Sequence, residues 1–381
     1  MDAELHGKVT AWRRHIHAHP ELSTQEAATA AFVCQTLTEL GVPFVANVGG
    51  HGVVATITRG QSNRSVGLRA DMDALPIEET TGLPYASGTP GVMHACGHDG
   101  HTASLLGAAA LLSRDPGWTG TVQLVFQPAE EGAGGAKSMI ADGLFDRFPM
   151  ERIFGYHNWP GLEAGTVMVH DGAVMAAGSR IAIDLEGHAG HAAMPHLTRD
   201  PMLAAGHLLV ALQSIVSRNT DPMDSAVVSI CTVNGGVAAN QIPSRVRMTG
   251  TYRTHRQSVR ERIEDDIRRI AAGIAQTFAV GATIEIHHGV SVTANSAAEA
   301  EVAAAAATAM GAPLRRDMAP SMAGEDFGWY LDHRPGAFAW IGNGLSRPGA
   351  ELHNPGYDFN DAILPTASGW LAATARRALQ D

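Results

Sequence analysis

Cysteine is scarce: the 381 residues contain three, Cys34, Cys96 and Cys231. An odd, low count in so long a chain excludes a disulfide framework and points to a reducing compartment. Positive charge is also short, with 27 Lys and Arg against 38 Asp and Glu and a formal net charge of -11. Holding phosphates requires a basic face, so no nucleic-acid partner is expected. Apolar residues make up 45% of the chain, yet no uncharged apolar run reaches the roughly 18 residues that span a bilayer. The opening Met1-Asp2-Ala3-Glu4-Leu5 has neither a basic nor an apolar segment, so no secretory signal is read there. The expectation is a cytoplasmic protein with no membrane partner.

What the chain does have is length, histidine and alternating element types. Its length exceeds the size at which one core stops growing, so two domains are expected. Leu5, Val9, Trp12 and Ile16 recur at helical spacing, and Pro20 ends that pattern. Ser23 and Glu26 read as a capping box opening a second helix. Strands are read over 52–58, 65–70, 121–127 and 153–157, with a helix over 101–112, which is the alternation of an α/β sheet. From Arg180 the pattern becomes strand, helix (200–217), strand, strand, helix (258–278), strand. That β-α-β-β-α-β order is ferredoxin-like. A helix over 297–310, a short strand over 338–341 and a final helix near Leu364 return to the first domain. The boundaries are thus 1–179 and 292–381 for an α/β domain, and 180–291 for an inserted α+β domain.

The densest chemistry is His94-Ala95-Cys96-Gly97-His98-Asp99-Gly100-His101. Gly97 and Gly100 permit tight turns, so Cys96 and His98 could face one cation. Taken singly, Cys96 is a small core residue, His157 a packing residue, Glu130-Glu131 a solvated loop and His353 uninformative. Taken together, thiolate, imidazole and carboxylate suit zinc or a similar divalent ion. The spacing is not that of a closed zinc finger. Cys96, His98, Glu131, His157 and His353 are the candidate ligands, and Glu130 is the candidate base for a water nucleophile. Asp71 and Asp99 could orient ligands, or Asp99 could cap the next helix. One rival reading makes Cys96 a nucleophile with His98 or His101 as base. Another makes the chain a non-catalytic metal binder.

Several longer motifs in fixed order carry a resemblance. They are 17–22 (HAHPEL), 69–76 (RADMDALP), 94–101, 127–131 (QPAEE), 157–160 (HNWP), 190–196 (GHAAMPH) and 324–327 (GEDF). With these the chain resembles the metal-dependent amidohydrolases and peptidases that include hippurate hydrolase, auxin-conjugate hydrolases, bacterial N-acyl-amino-acid amidohydrolases, aminoacylase and carboxypeptidase G. It is most similar to the hippurate and auxin-conjugate branch. Related peptidases carry His-x-Asp where this chain has Arg69-Ala70-Asp71, and an Asp where it has Cys96.

The resemblance implies a zinc-peptidase-like catalytic domain with an inserted lid that often dimerises, giving a dimer or tetramer. It implies two divalent ions per chain (Zn, Mn, Co or Ni) on Cys96, His98, Glu131, His157 and His353, with Glu130 as general base. It implies that His191 stabilises the developing oxyanion, that Asn240 lies near the substrate carboxylate, and that Arg253 recognises that carboxylate. The expected activity is hydrolysis of a small N-acyl amino acid to a carboxylate and a free amino acid. The alternative is a metallo-dipeptidase or carboxypeptidase on the same scaffold.

Overall fold

The computed structural model describes residues 1–345 and 348–380. Contacts divide the chain into two units, one of 175–293 with 320–325, the other of the remaining segments. The first of these takes in the whole of strand Ala177–Glu186. Its stretch 320–325 belongs there through three bonds: the carbonyls of Ser321, Met322 and Ala323 accept from His255, Arg253 and the Ala176 amide.

The larger unit is built on an eight-stranded sheet. Four parallel strands form its centre, in the order Gly120–Gln127, Ser65–Asp71, Arg152–Pro160 and Gly336–Gly344. Their sequences are close to continuous apolar runs, as strands covered on both faces require. Strands Gly52–Arg59 and Phe44–Val48 extend one side antiparallel. The second of these is not legible in the sequence, because Phe44-Val45-Ala46-Asn47-Val48 shows no apolar–polar alternation although its exposure alternates. Because the central strands run the same way, Asp71, Gln127, His157 and Asn158 all fall at one edge of the sheet, where α/β folds place their chemistry.

Helix His98–Arg114 follows the histidine-rich loop and starts three residues earlier than its sequence suggested. Gly97, at φ 94, makes the abrupt entry, and a Cβ there would lie 2.2 Å from Asn158 Oδ1. The helix is buried from His98 through Ala110 and packs on helices Ala3–Ala18 and Leu364–Ala378. Its early start puts His98 and His101, three apart, on one face.

Helix Ala27–Glu39 overturns the expected capping box. Glu26 makes no capping bond, and Ser23 donates to Asp73 Oδ2 at 2.6 Å. The local pattern lost to long-range partners.

The smaller unit has the four-stranded antiparallel order Ala226–Gly235, Arg245–Thr254, Ala177–Glu186, Gly281–His288. Helices Pro201–Leu212 and Gln257–Phe278 complete the β-α-β-β-α-β sequence. Ile181, Ile183 and Leu185 alternate into its core with Leu208, Met248, Ile263 and Ile267. Asp200 caps the first helix by accepting from the Met202 and Leu203 amides. That helix ends at Leu212 rather than Ser217, and a separate turn covers Ile215–Asn219. Among the described residues no helix is long and apolar enough to cross a membrane.

Candidate metal centre

Cys96, His98, Glu131, His157 and His353 meet at the C-terminal edge of the parallel strands. Two triads of donor atoms, each within 4.8 Å of one another, share Cys96: one is Cys96, His98 and His157, the other Cys96, Glu131 and His353. The Cys96 sulfur lies 3.4 Å from His157 Nε2 and 3.3 Å from His353 Nε2. His353 Nε2 lies 3.2 Å from Glu131 Oε1. Glu130 also joins His98 and Glu131 within that 4.8 Å limit. Its Oε1 accepts the Asp326 amide at 3.3 Å.

Two of the imidazoles, His157 and His98, are held by their far nitrogens, which fixes the nitrogen each offers to a cation. His157 Nδ1 donates to the Asn158 carbonyl at 2.7 Å. His98 Nδ1 donates to the Asp73 carbonyl at 2.9 Å, with Asp73 Oδ1 at 3.1 Å. Burial, together with neighbouring His101, pushes His157 well below its ordinary pKa, so it is the neutral imidazole that metals bind. Burial works against the charge on His98, but Asp71 and the hydrogen bond to Asp73 outweigh it and raise His98 well above its ordinary pKa. Burial, with Glu131 nearby, pushes the Cys96 thiol well up. A thiolate therefore needs a cation beside it here.

Two buried atoms test the fit. His98 Nε2 and Glu131 Oε1 are sealed from water and make no well-formed hydrogen bond among the described residues, although Glu131 Oε1 has the ion-pair approach of His353 Nε2. Buried polar atoms are normally satisfied. Two such donors beside a thiol and two more imidazoles suit a divalent cation.

A supporting layer lies behind these groups, and the sequence reading reached only part of it. Asp73, not Asp71, holds a candidate ligand. Asp71 accepts from His101 Nδ1 at 2.6 Å and from Arg69 at 2.7 Å. Despite burial, His98, Arg69 and His101 keep Asp71 ionised. His101 Nε2 accepts the Asn158 amide at 3.0 Å, so both ring nitrogens are engaged away from Cys96. His101 is therefore not placed to act as base for Cys96, and with the thiol pushed up the nucleophilic-cysteine reading loses its thiolate. Arg69 and Gln127 donate to Asp326, at 2.9 Å and 2.8 Å. Burial raises Asp326 to about 6, Arg69 pulling the other way. Asp99 does not cap its helix, since Gly97 holds that position. Its carboxylate accepts from Arg13 at 2.7 Å and His17 at 2.8 Å. The repeated acid in Asp71-Met72-Asp73 at a strand end was the one local signal for this layer.

The other three expected site residues lie in the smaller unit. His191 and Asn240 are neighbours there. Strand Gly190–His191 pairs with Gln241–Ile242, and the Asn240 carbonyl accepts the Ala192 amide at 3.0 Å. His191 Nδ1 accepts the Ala193 amide at 3.0 Å. Arg253 stands apart from this ribbon, on strand Arg245–Thr254, and donates to the Met322 carbonyl at 3.2 Å.

Comparison with known proteins places this arrangement. An N-acetyl-L-cysteine deacetylase of Bacillus subtilis (strain 168) is 42% identical over 369 residues, covering 96% of this chain and 87% of the relative. The hippurate hydrolase of Campylobacter jejuni is 41% identical over 379 residues, 99% of this chain and 98% of the relative. A crystal structure from Bacillus subtilis, described as a dinuclear metal binding peptidase, superposes with a TM-score of 0.89 at 35% identity, covering 100% of this chain and 99% of that one. The family model described as peptidase family M20/M25/M40 matches residues 67–377, and the chain belongs to that family.

Proposed function

We propose that the chain is a metal-dependent amidohydrolase that cleaves N-acyl amino acids to a carboxylate and a free amino acid. The observation that carries this reading is the pair of donor triads sharing Cys96 with a further carboxylate, Glu130, beside them. Relatives named for deacetylating N-acetylcysteine and for hydrolysing hippurate support the substrate class.

Under this reading Cys96, His98 and His157 would hold one divalent cation, and Cys96, Glu131 and His353 would hold the other. Bound there, the cations supply Lewis acidity to the acyl carbonyl and favour ionisation of the attacking water. Glu130 takes the water's proton and later returns it to the leaving nitrogen. The Asp326 amide holds one oxygen of Glu130, which keeps the carboxylate oriented. His191 contributes a contact to the developing oxyanion, and Asn240 and Arg253 recognise the substrate carboxylate. The insertion 180–291 acts as a lid and as the self-association domain of a homo-oligomer. The scarcity of cysteine supports a cytoplasmic setting. A sulfur donor admits zinc, manganese, cobalt or nickel.

The test is a panel of hippurate, N-acetyl and longer N-acyl amino acids against unblocked dipeptides, with chelation and re-addition of each metal. The blocked substrates should be hydrolysed, with loss on chelation and recovery on re-addition. Faster cleavage of free dipeptides would make the chain a dipeptidase. In Glu130→Gln, metal content should stay near that of the parent while kcat falls by a factor on the order of 100–10,000. A metallated Glu130→Gln variant of unchanged kcat would remove Glu130 from the mechanism.

A further inference from the structure

The turn that carries Glu130 and Glu131 is held in an unfavourable backbone conformation. Ala129, just before Glu130, lies at φ 56. A residue with a Cβ enters that region only when its surroundings require it. The requirement comes from a buried carboxyl far away in sequence. Glu26 is 0% exposed, and its Oε1 accepts the Ala129 amide at 2.7 Å. The same oxygen accepts the Thr24 amide at 3.0 Å, and Thr24 is itself at φ 69. On the other side of Ala129, its carbonyl accepts the Gly135 amide at 2.9 Å.

The brace has a second arm. The Glu131 amide donates to Asp73 Oδ2 at 2.9 Å, and the Ser23 hydroxyl donates to the same oxygen at 2.6 Å. Asp73 also holds His98. Segment 23–26 therefore supports the turn twice, through Glu26 directly and through Ser23 by way of Asp73.

A simpler role for Glu26 would be to cap helix Ala27–Glu39, which starts at the next residue. It makes no capping bond. Its second oxygen is buried without a hydrogen-bond partner among the described residues. Burial raises its pKa, the Ala129 amide acting in the opposite direction. A buried carboxyl is costly to keep, and its non-local contact here is the turn.

We propose that Glu26 is a positioning residue for the hydrolytic site, holding Ala129 in the left-handed conformation that directs Glu130 toward the water and Glu131 toward the cation. The roles of Glu130 and Glu131 rest on the function proposed above.

The experiment compares the full-length parent with Glu26→Ala, Glu26→Gln and Glu26→Ala combined with Ala129→Gly. Each apo-protein is titrated with Zn²⁺ and Mn²⁺ by calorimetry. kcat and KM are then measured on an N-acyl amino acid, with thermal unfolding in parallel. Glu26→Ala should weaken metal binding and lower kcat by roughly 10–100-fold, with KM little changed. Glu26→Gln keeps a carbonyl acceptor for the Ala129 amide and should stay close to the parent. Glycine adopts positive φ freely, so Ala129→Gly should restore much of what Glu26→Ala loses. A role confined to global stability would give no such rescue.

If Glu26→Ala does not fold, Glu26→Met fills the same space without an acceptor, and the same losses are expected. Metal binding and kcat in Glu26→Ala equal to those of the parent would overturn the proposal. So would losses that neither glutamine nor the glycine substitution recovers. Weakened metal binding in Glu26→Ala, with no turnover of any N-acyl amino acid by the parent, would uphold the positioning role and reject the proposed substrate.

Discussion

At the residue scale the centre depends unequally on its donors. Cys96 belongs to both triads, whereas His157 and His353 belong to one each. Burial drives the lone thiol toward its neutral form, so a cation and the thiolate stabilise each other and metal binding releases a proton. Removing the shared sulfur should therefore cost both ions, while removing one imidazole should cost one. Metal analysis after dialysis should find Cys96→Ala with well under one ion per chain, and His157→Ala and His353→Ala each with about one. Cys96→Asp, which restores a donor able to bridge, should regain binding. If Cys96→Ala keeps the same metal content as the parent, the triads do not share a bridging ligand.

At the level of elements, a charged cluster joins segments that meet only in the folded chain. Arg13 and His17 come from helix Ala3–Ala18, and Asp99 comes from helix His98–Arg114. Glu79 and Tyr85 lie between strand Ser65–Asp71 and that second helix, and Asp358 and Asp361 precede the last helix. Arg13 is fully buried and donates to Asp99, Asp358 and Asp361. His17 faces Asp99, Glu79, Arg13, Tyr85 and His94. Burial works against its charge, but Asp99 and Glu79 outweigh burial and raise it to about 9 from an ordinary 6.5. A raised folded pKa stabilises fully below 6.5, and that contribution fades as the pH climbs through about 9. Its size at low pH is of order 1–3 kcal/mol. The parent should therefore lose Tm relative to His17→Gln between pH 6.5 and 9. Parallel melting curves across that range would mean that His17 carries no such charge. The same cluster shows what a sequence can convey. Cys96 and His98 stand out because their motif is dense and chemically unusual, whereas Glu131, His157 and His353 are uninformative singly and gain weight only beside that motif and through the family resemblance. The strands stood out as apolar runs. Glu26 and Ala129 are 103 positions apart, and Arg69 and Asp326 are 257 apart. Neither pair leaves a local pattern, so in the sequence Glu26 reads only as the capping-box partner of Ser23, and Arg69 only as part of the 69–76 motif.

For the whole molecule, the open question is what covers the apolar surface of the smaller unit. Helix Pro201–Leu212 buries Ala204, Ala205, Leu208 and Leu212 in its own core. It also exposes Met202, Leu203, Leu209 and Val210. A helix that is apolar on both faces needs a second partner. Strand Ala226–Gly235 is an edge strand of the same sheet and exposes Val227 and Val233. Its register shifts between Ile230 and Thr232, and such an irregularity discourages indefinite edge pairing. A closed association is then the favoured outcome, and a second copy of this chain, as proposed above, supplies a self-complementary face. Val210 is 72% exposed, so placing a charge there should leave each chain folded. Sedimentation should find the parent at twice the chain mass or more. Val210→Glu combined with Leu203→Glu should move it to the monomer with little change in Tm at the catalytic unit. A parent that sediments as a monomer at micromolar concentration would leave this face to a partner of another kind. An unchanged assembly in the double variant would place the contact elsewhere on the chain.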